Sequence, residues 1–130
     1  MAKKKEERKL VRLPDSELEV MQAVWDSEQP VPRAKLEELM AERHPMAQTT
    51  LLTLLTRLAD KGFVKIEKAG RGSVYTALVD RGEYLSDQSR SFIDRLCGGK
   101  MSVFAAALCD SGLTKEELDE LRELIERSGR

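Results

Sequence analysis

The chain has 130 residues, room for one ordinary domain or two very small ones. Hydrophobic residues make up 41% and charged residues 35%, as in a soluble, mainly helical protein, while aromatics at 5% argue against a large aromatic-walled cofactor pocket. Net charge is −1, no apolar run approaches the roughly 20 residues of a membrane span, and the charged start MAKKKEERKLVR lacks the apolar stretch of a secretory signal. No membrane insertion is expected, and the expected location is cytoplasmic. Cys97 and Cys109 are too few for a disulfide framework.

The near-neutral total hides a pattern. Residues 1–12 balance at +4, residues 15–43 at −5, residues 48–81 at +3, residues 82–109 at zero and residues 110–130 at −3. A basic middle between acidic flanks can attract phosphate locally whatever the sum.

Residues 1–12 read as a disordered basic N-terminal arm. LPDSELEVMQAVW then opens a helix, with Asp15 or Ser16 as cap, capping-box spacing from Ser16 to Glu19, and Leu18, Met21, Val24 and Trp25 on one face. Pro30 and Pro32 stop it. RAKLEELMAER predicts a second helix with Leu36, Leu39 and Met40 on one side, ended by His44-Pro45. MAQTTLLTLLTRLADKG, residues 46–62, predicts a third, closed by Gly62 as its C′ residue. FVKIEKAGRGSVYTAL changes period: two strand-forming runs flank Gly70 and Gly72, a β-hairpin with Lys68 before its turn and Arg71 inside it.

Helical spacing returns after residue 80. GEYLSDQSRSFIDRLCG sets Tyr84, Leu85, Phe92, Ile93 and Leu96 on a broad apolar face, broken by Gly98-Gly99. A short apolar helix, MSVFAAALCD, carries Phe104 and Leu108. The last helix starts at Thr114, a capping box with Glu117, and bears a stripe of Leu118, Leu121, Leu124 and Ile125. About 50 residues in three amphipathic helices make a small unit to stand alone, so these apolar residues are expected to meet a second copy of the chain.

The expected fold is therefore mainly α with a small β-hairpin. It comprises a winged helix-turn-helix domain over residues 13–79 and a C-terminal three-helix dimerisation domain over residues 80–130. In a winged helix the third helix enters the DNA major groove, which asks for one apolar packing face and one short polar face. Leu51, Leu54, Leu55 and Leu58 supply the first, and Gln48, Thr49, Thr50, Thr53 and Arg57 the second. Threonine offers a hydroxyl to phosphate or base and a methyl to thymine, glutamine can pair with adenine, and arginine can neutralise phosphate. Lys68 and Arg71 on the wing would reach the backbone or minor groove. The expected partner is a double-stranded DNA operator.

ELEVMQAVW, TLLTRLADKG, the wing GRGSVYTALV and EYLSDQSRSFIDRL, in this order and spacing, resemble the BlaI/MecI-type penicillinase repressor family and its copper-responsive relatives, over residues 13 to 127. The resemblance implies a homodimeric bacterial transcriptional repressor acting on inverted-repeat operators of resistance genes. Carried over by position, it implies major-groove contacts at Thr49, Thr50 and Thr53, a backbone contact at Arg57 and a wing contact at Arg71. Members often carry lysine where this chain has Thr49 and Leu52. In the β-lactam branch a membrane sensor-protease system leads to cleavage in the helix after the glycine break, and the aligned bond here is Ala107–Leu108. The Cys-x-Cys pattern of the copper branch is missing from the tail ERSGR, and Cys97 and Cys109, twelve residues apart, lack metal-site spacing and are expected to be buried thiols.

No cofactor and no metal are expected, and an enzyme is not. His44 is the single histidine and stands at a helix boundary, no nucleophile-elbow, zincin or phosphate-loop motif occurs, and the carboxylates of helices one, two and six read as solvated faces. Two alternatives stay open: a winged helix used for protein–protein contact, favoured by Leu52 alone, and a metal- or redox-responsive regulator of the copper type.

Overall fold

A computed structural model describes residues 10–129, so the expected basic arm lies outside the described residues up to residue 9. In chain order the elements are α1 (Asp15–Asp26), β1 (Val31–Pro32), α2 (Arg33–Arg43), α3 (Gln48–Asp60), β2 (Val64–Ala69), β3 (Gly72–Ala77), α4 (Arg81–Leu96), α5 (Met101–Asp110) and α6 (Lys115–Ser128). The chain divides into two compact units, Met1–Gln88 and Ser89–Arg130. The division falls inside α4, beyond the boundary expected near residue 80. The reason is Tyr84, which the apolar pattern assigned to the C-terminal helices. Its ring lies 5% exposed in the core of the first unit, 5.6 Å from Phe63 and 5.9 Å from Trp25, and its hydroxyl accepts the Leu13 N–H at 2.9 Å.

The first unit is a winged helix-turn-helix. Its core is built from helical faces at three- and four-residue spacing: Val20, Met21 and Val24 of α1, Leu36 and Met40 of α2, and Leu51, Leu54, Leu55 and Leu58 of α3. The antiparallel sheet has the order β1-β3-β2, one strand more than the hairpin read from the sequence, with Val31 opposite Tyr75 and Ile66 also opposite Tyr75 on the other side. Helix α1 starts one residue before the expected caps. Pro14 is its N-cap, without a side-chain hydrogen bond, and Asp15 already lies in the first turn. Proline loses nothing there, because the first amides of a helix have no intrahelical partner.

In the second unit Gly98 (φ 62°) and Gly99 (φ 75°) turn the chain after α4. Gly112 (φ 94°) turns it again before α6, whose Thr114–Glu117 capping box is formed in both directions. Phe92 meets Phe104 edge-on at 5.9 Å. Among the described residues of this unit only Ile93 and Cys97 are buried, and α5 and α6 bury none. Phe92, Leu96, Met101, Val103, Leu124 and Ile125 are each at least 40% exposed. Cys109 is exposed as well, against the expectation of two buried thiols, because it stands on α5, a helix that buries none of its residues.

Candidate nucleic-acid interface

Helix α3 is two-sided. Leu51, Leu54, Leu55 and Leu58 are each at most 4% exposed, whereas Gln48, Thr49, Thr50, Thr53 and Arg57 are all exposed. Leu52 lies between the two faces and is half-buried. The helix begins after Ala47, which has no side chain able to cap it. The amides of Gln48, Thr49 and Thr50 therefore lack a side-chain acceptor at the positive end of the dipole, next to the threonines.

The hydroxyls differ in what they have left to offer. Thr53 Oγ1 donates to the Thr49 carbonyl at 2.9 Å, and Thr56 Oγ1 to the Leu52 carbonyl at 3.0 Å. Each keeps its acceptor lone pairs and turns the rest of its side chain outward. The Thr49 and Thr50 hydroxyls make no hydrogen bond among the described residues, so both can donate as well as accept.

The far end of α3 is held firmly. Gly62 takes φ 81°, its N–H reaches the Ala59 carbonyl at 3.0 Å and the Phe63 N–H the Leu58 carbonyl at 2.9 Å. This double closure is a Schellman motif, and buried Phe63 supplies its apolar contact. Lys61, just before it, binds Glu17 of α1 at 2.5 Å. Glu17 is 3% exposed, which corrects the reading of the α1 carboxylates as a solvated face. A buried carboxylate needs a cation or donors, and here α3 provides one. Its sequence signal was a glutamate three residues before Val20 and four before Met21, on the buried side of α1.

A second anchor joins three helices. Asp26 binds Arg43 at the end of α2 (2.9 Å) and Arg81 at the start of α4 (2.6 Å), and these guanidinium groups, the Arg81 hydrogen bond foremost, hold its carboxyl below the usual carboxylate range. Arg81 also donates to Gln22 at 2.9 Å and lies 5.4 Å above the Trp25 ring, whose indole N–H donates to the Val79 carbonyl at 2.8 Å.

The hairpin follows α3 after three residues and is braced to them by the Leu78 N–H on the Phe63 carbonyl at 2.8 Å. Gly70 (φ 63°) and Arg71 form its two-residue turn, with positive φ at the first position as in a type II′ turn. Lys68 and Arg71 are exposed, and neither has an ion-pair partner among the described residues. Lys65, three strand positions nearer the body than Lys68, is instead paired with Glu67 at 3.2 Å. All seven residues expected to touch DNA thus lie exposed on two elements of one unit, in front of a packed core.

The penicillinase repressor family profile matches residues 13–127. The chain is 32% identical over 120 residues to the penicillinase repressor of Bacillus licheniformis, across 92% of this chain and 93% of that protein. It is 26% identical over 122 residues to the methicillin resistance regulatory protein MecI of Staphylococcus aureus (strain N315), across 93% and 98%. The solution structure of the DNA-binding domain of the repressor BlaI is similar with TM-score 0.52 and 30% identity, over 59% of this chain and 93% of that one. The Bacillus licheniformis BlaI monomeric form in complex with the blaP half-operator gives TM-score 0.50 and 30% identity, over 58% and 92%. These relatives are transcriptional repressors, not enzymes. With the match running through both units, the chain belongs to the penicillinase repressor family.

Proposed function

We propose that the protein is a dimeric transcriptional repressor that binds an inverted-repeat operator, with α3 in the major groove and the wing on the backbone or minor groove. The carrying observation is the two-sided α3: four buried leucines fix it in the core while Gln48, Thr49, Thr50, Thr53 and Arg57 stand exposed beside an uncapped N-terminus. Support comes from the BlaI relative solved with its half-operator at 30% identity. A winged helix built for protein contact would carry an apolar patch here, and only half-buried Leu52 approaches one.

The second unit supplies the dimer contact in this reading. Three helices that leave Phe92, Leu96, Leu124 and Ile125 in water are completed by the same surface of a second copy. Two half-sites related by a two-fold axis follow from such a dimer. Repression from the cytoplasm and release through a membrane sensor-protease complete the proposal. The bond that release would cut, Ala107–Leu108, lies inside α5, so local unwinding must precede cleavage.

An electrophoretic shift with promoter fragments from the gene's own neighbourhood tests the core of the proposal. Salt-sensitive binding to an inverted repeat is expected, and failure to bind any such fragment would overturn it.

A further inference from the structure

Four leucines, Leu51 to Leu58, lock α3 at its middle, but burial is non-directional and leaves the tilt of the helix to its ends. The N-terminal end has no side-chain cap on Ala47. At the other end stands the Lys61–Glu17 pair. Among the described residues it is the one ion pair or side-chain hydrogen bond that joins α3 or its cap to another element, since Thr53 and Thr56 bond only within the helix.

The pair has the makings of an anchor. Glu17 lies in the first turn of α1 and Lys61 is the C-cap of α3, so each charge stands at the helix end whose dipole favours it. The Glu17 side chain is 3% exposed and has little water to replace its cation. Just before it, α1 is itself fixed by the Leu13 N–H on the Tyr84 hydroxyl at 2.9 Å. A buried ion pair adds little net stability over two apolar side chains of the same volume. What it adds is direction, because a short charge-assisted contact accepts a narrow range of lengths and angles. Thr50 stands about 7 Å along the axis from the centre of the leucine stripe, so a tilt of ~10° moves it by about 1 Å. A hydrogen bond of about 2.9 Å does not survive such a shift, and recognition groups need holding to about 0.5 Å.

Resting on the DNA-binding reading above, we infer that Glu17 and Lys61 are positioning residues for base readout: the pair sets the tilt of α3, and through it the reach of Thr49, Thr50 and Thr53 to base edges, without touching DNA itself.

Fluorescence anisotropy on the full chain compares the wild type with E17L/K61M and K61R, and thermal melts give the Tm of each. The probes are an inverted-repeat duplex selected by the wild type from a random pool and the single-base variants of that duplex. E17L/K61M exchanges the pair for two apolar side chains, keeps the net charge and is expected to leave Tm unchanged or higher. Its base discrimination should nonetheless fall by on the order of tenfold, shared among several positions of the half-site, because a tilt displaces all the readers together. K61R keeps the pair and should keep the discrimination; a loss equal to that of E17L/K61M would tie readout to Lys61 alone and overturn the inference. Unchanged discrimination in E17L/K61M overturns it as well and leaves the pair a structural one. So does a salt slope lower by about 1 per chain with discrimination intact, which would place the Lys61 ammonium on a phosphate. Should E17L/K61M not melt cooperatively, Glu17→Gln, of the same shape and a weaker acceptor, is read by the same criteria. If the wild type selects no duplex at all, the DNA-binding reading fails and this inference with it. Selection by the wild type with undiminished discrimination in the variants removes the positioning role alone.

Discussion

Thr50 and Arg71 are both exposed and both expected at DNA, yet their surroundings give them different work. Thr50 stands in the first turn of a helix whose opposite side is locked by leucines, so its free hydroxyl and methyl are presented at a fixed height and angle. A group so placed reads base edges, where each good contact discriminates by about 1–3 kcal/mol. Arg71 sits in the hairpin turn on a long flexible side chain, suited to phosphate rather than to a base edge. Thr50→Ala is therefore expected to relax sequence discrimination, by up to about tenfold at one position of the half-site. Arg71→Ala should weaken binding to all duplexes alike and lower the salt slope by about 1. Competition titrations with single-base operator variants separate the two; equal, sequence-blind losses would remove α3 from the role of reader. The internal bond of Thr53 to the Thr49 carbonyl has a further consequence. With its proton engaged, Thr53 meets the groove as an acceptor or a methyl, as adenine and cytosine amino groups or the thymine methyl require.

At the level of elements, legibility followed locality. Helix α2 spans Arg33–Arg43, the RAKLEELMAER segment read from spacing alone, and the Thr114–Glu117 box, the Gly62 helix stop and the Gly70-Arg71 turn stand where their residue types put them. Each depends on contacts within a few residues, which a pattern can encode. What escaped depends on distant partners. Strand β1 is only Val31 and Pro32 and exists only because β3 offers Val74 and Tyr75 to pair with it. Glu17 is buried because Lys61, 44 positions later, comes to it. Tyr84 belongs to the first unit because Leu13, 71 positions earlier, caps its hydroxyl. The Asp26 clamp is of the same kind, tying α1 to α2 and α4, and its chemistry dictates a pH signature. Its carboxyl is held below the ordinary range, so the folded state keeps the charged form more readily than the unfolded chain does. The stabilisation is present above the unfolded value near pH ~3.9 and disappears as pH falls toward the folded one. The group is partly solvated, so Asp26→Asn should cost no more than about 1 kcal/mol at neutral pH, or roughly 4–8 °C in Tm. Thermal melts from pH 7 down to pH 3 should show the gap between wild type and variant closing below about pH 4. A gap constant down to pH 3 would show that the clamp does not act through charge.

At the scale of the whole chain, the two units are unequally finished. The first buries the packing leucines of α3 and, among its described residues, seats its large aromatic side chains and pairs its one buried carboxylate. The second, with 42 residues of its own, lies near the size below which an isolated chain usually needs a disulfide, a metal or a partner. Its cysteines are free, and among the described residues no cluster suited to a metal occurs. In the dimer proposed above a second copy is that partner, and a two-fold arrangement places the same face on itself. Ile125 offers the sharpest test, since it is 60% exposed and a change there removes little from its own chain's core. Light scattering of Ile125→Asp should give a monomer at concentrations where the wild type is a dimer, with far-UV circular dichroism verifying that the first unit stays folded. Half-operator binding should survive, because α3 and the wing belong to the other unit, whereas affinity for the full inverted repeat should fall toward that of a single half-site. The effective concentration that one half-site lends the other is lost with the link. A variant that keeps the wild-type mass and the wild-type preference for two half-sites would show that this face does not join the copies.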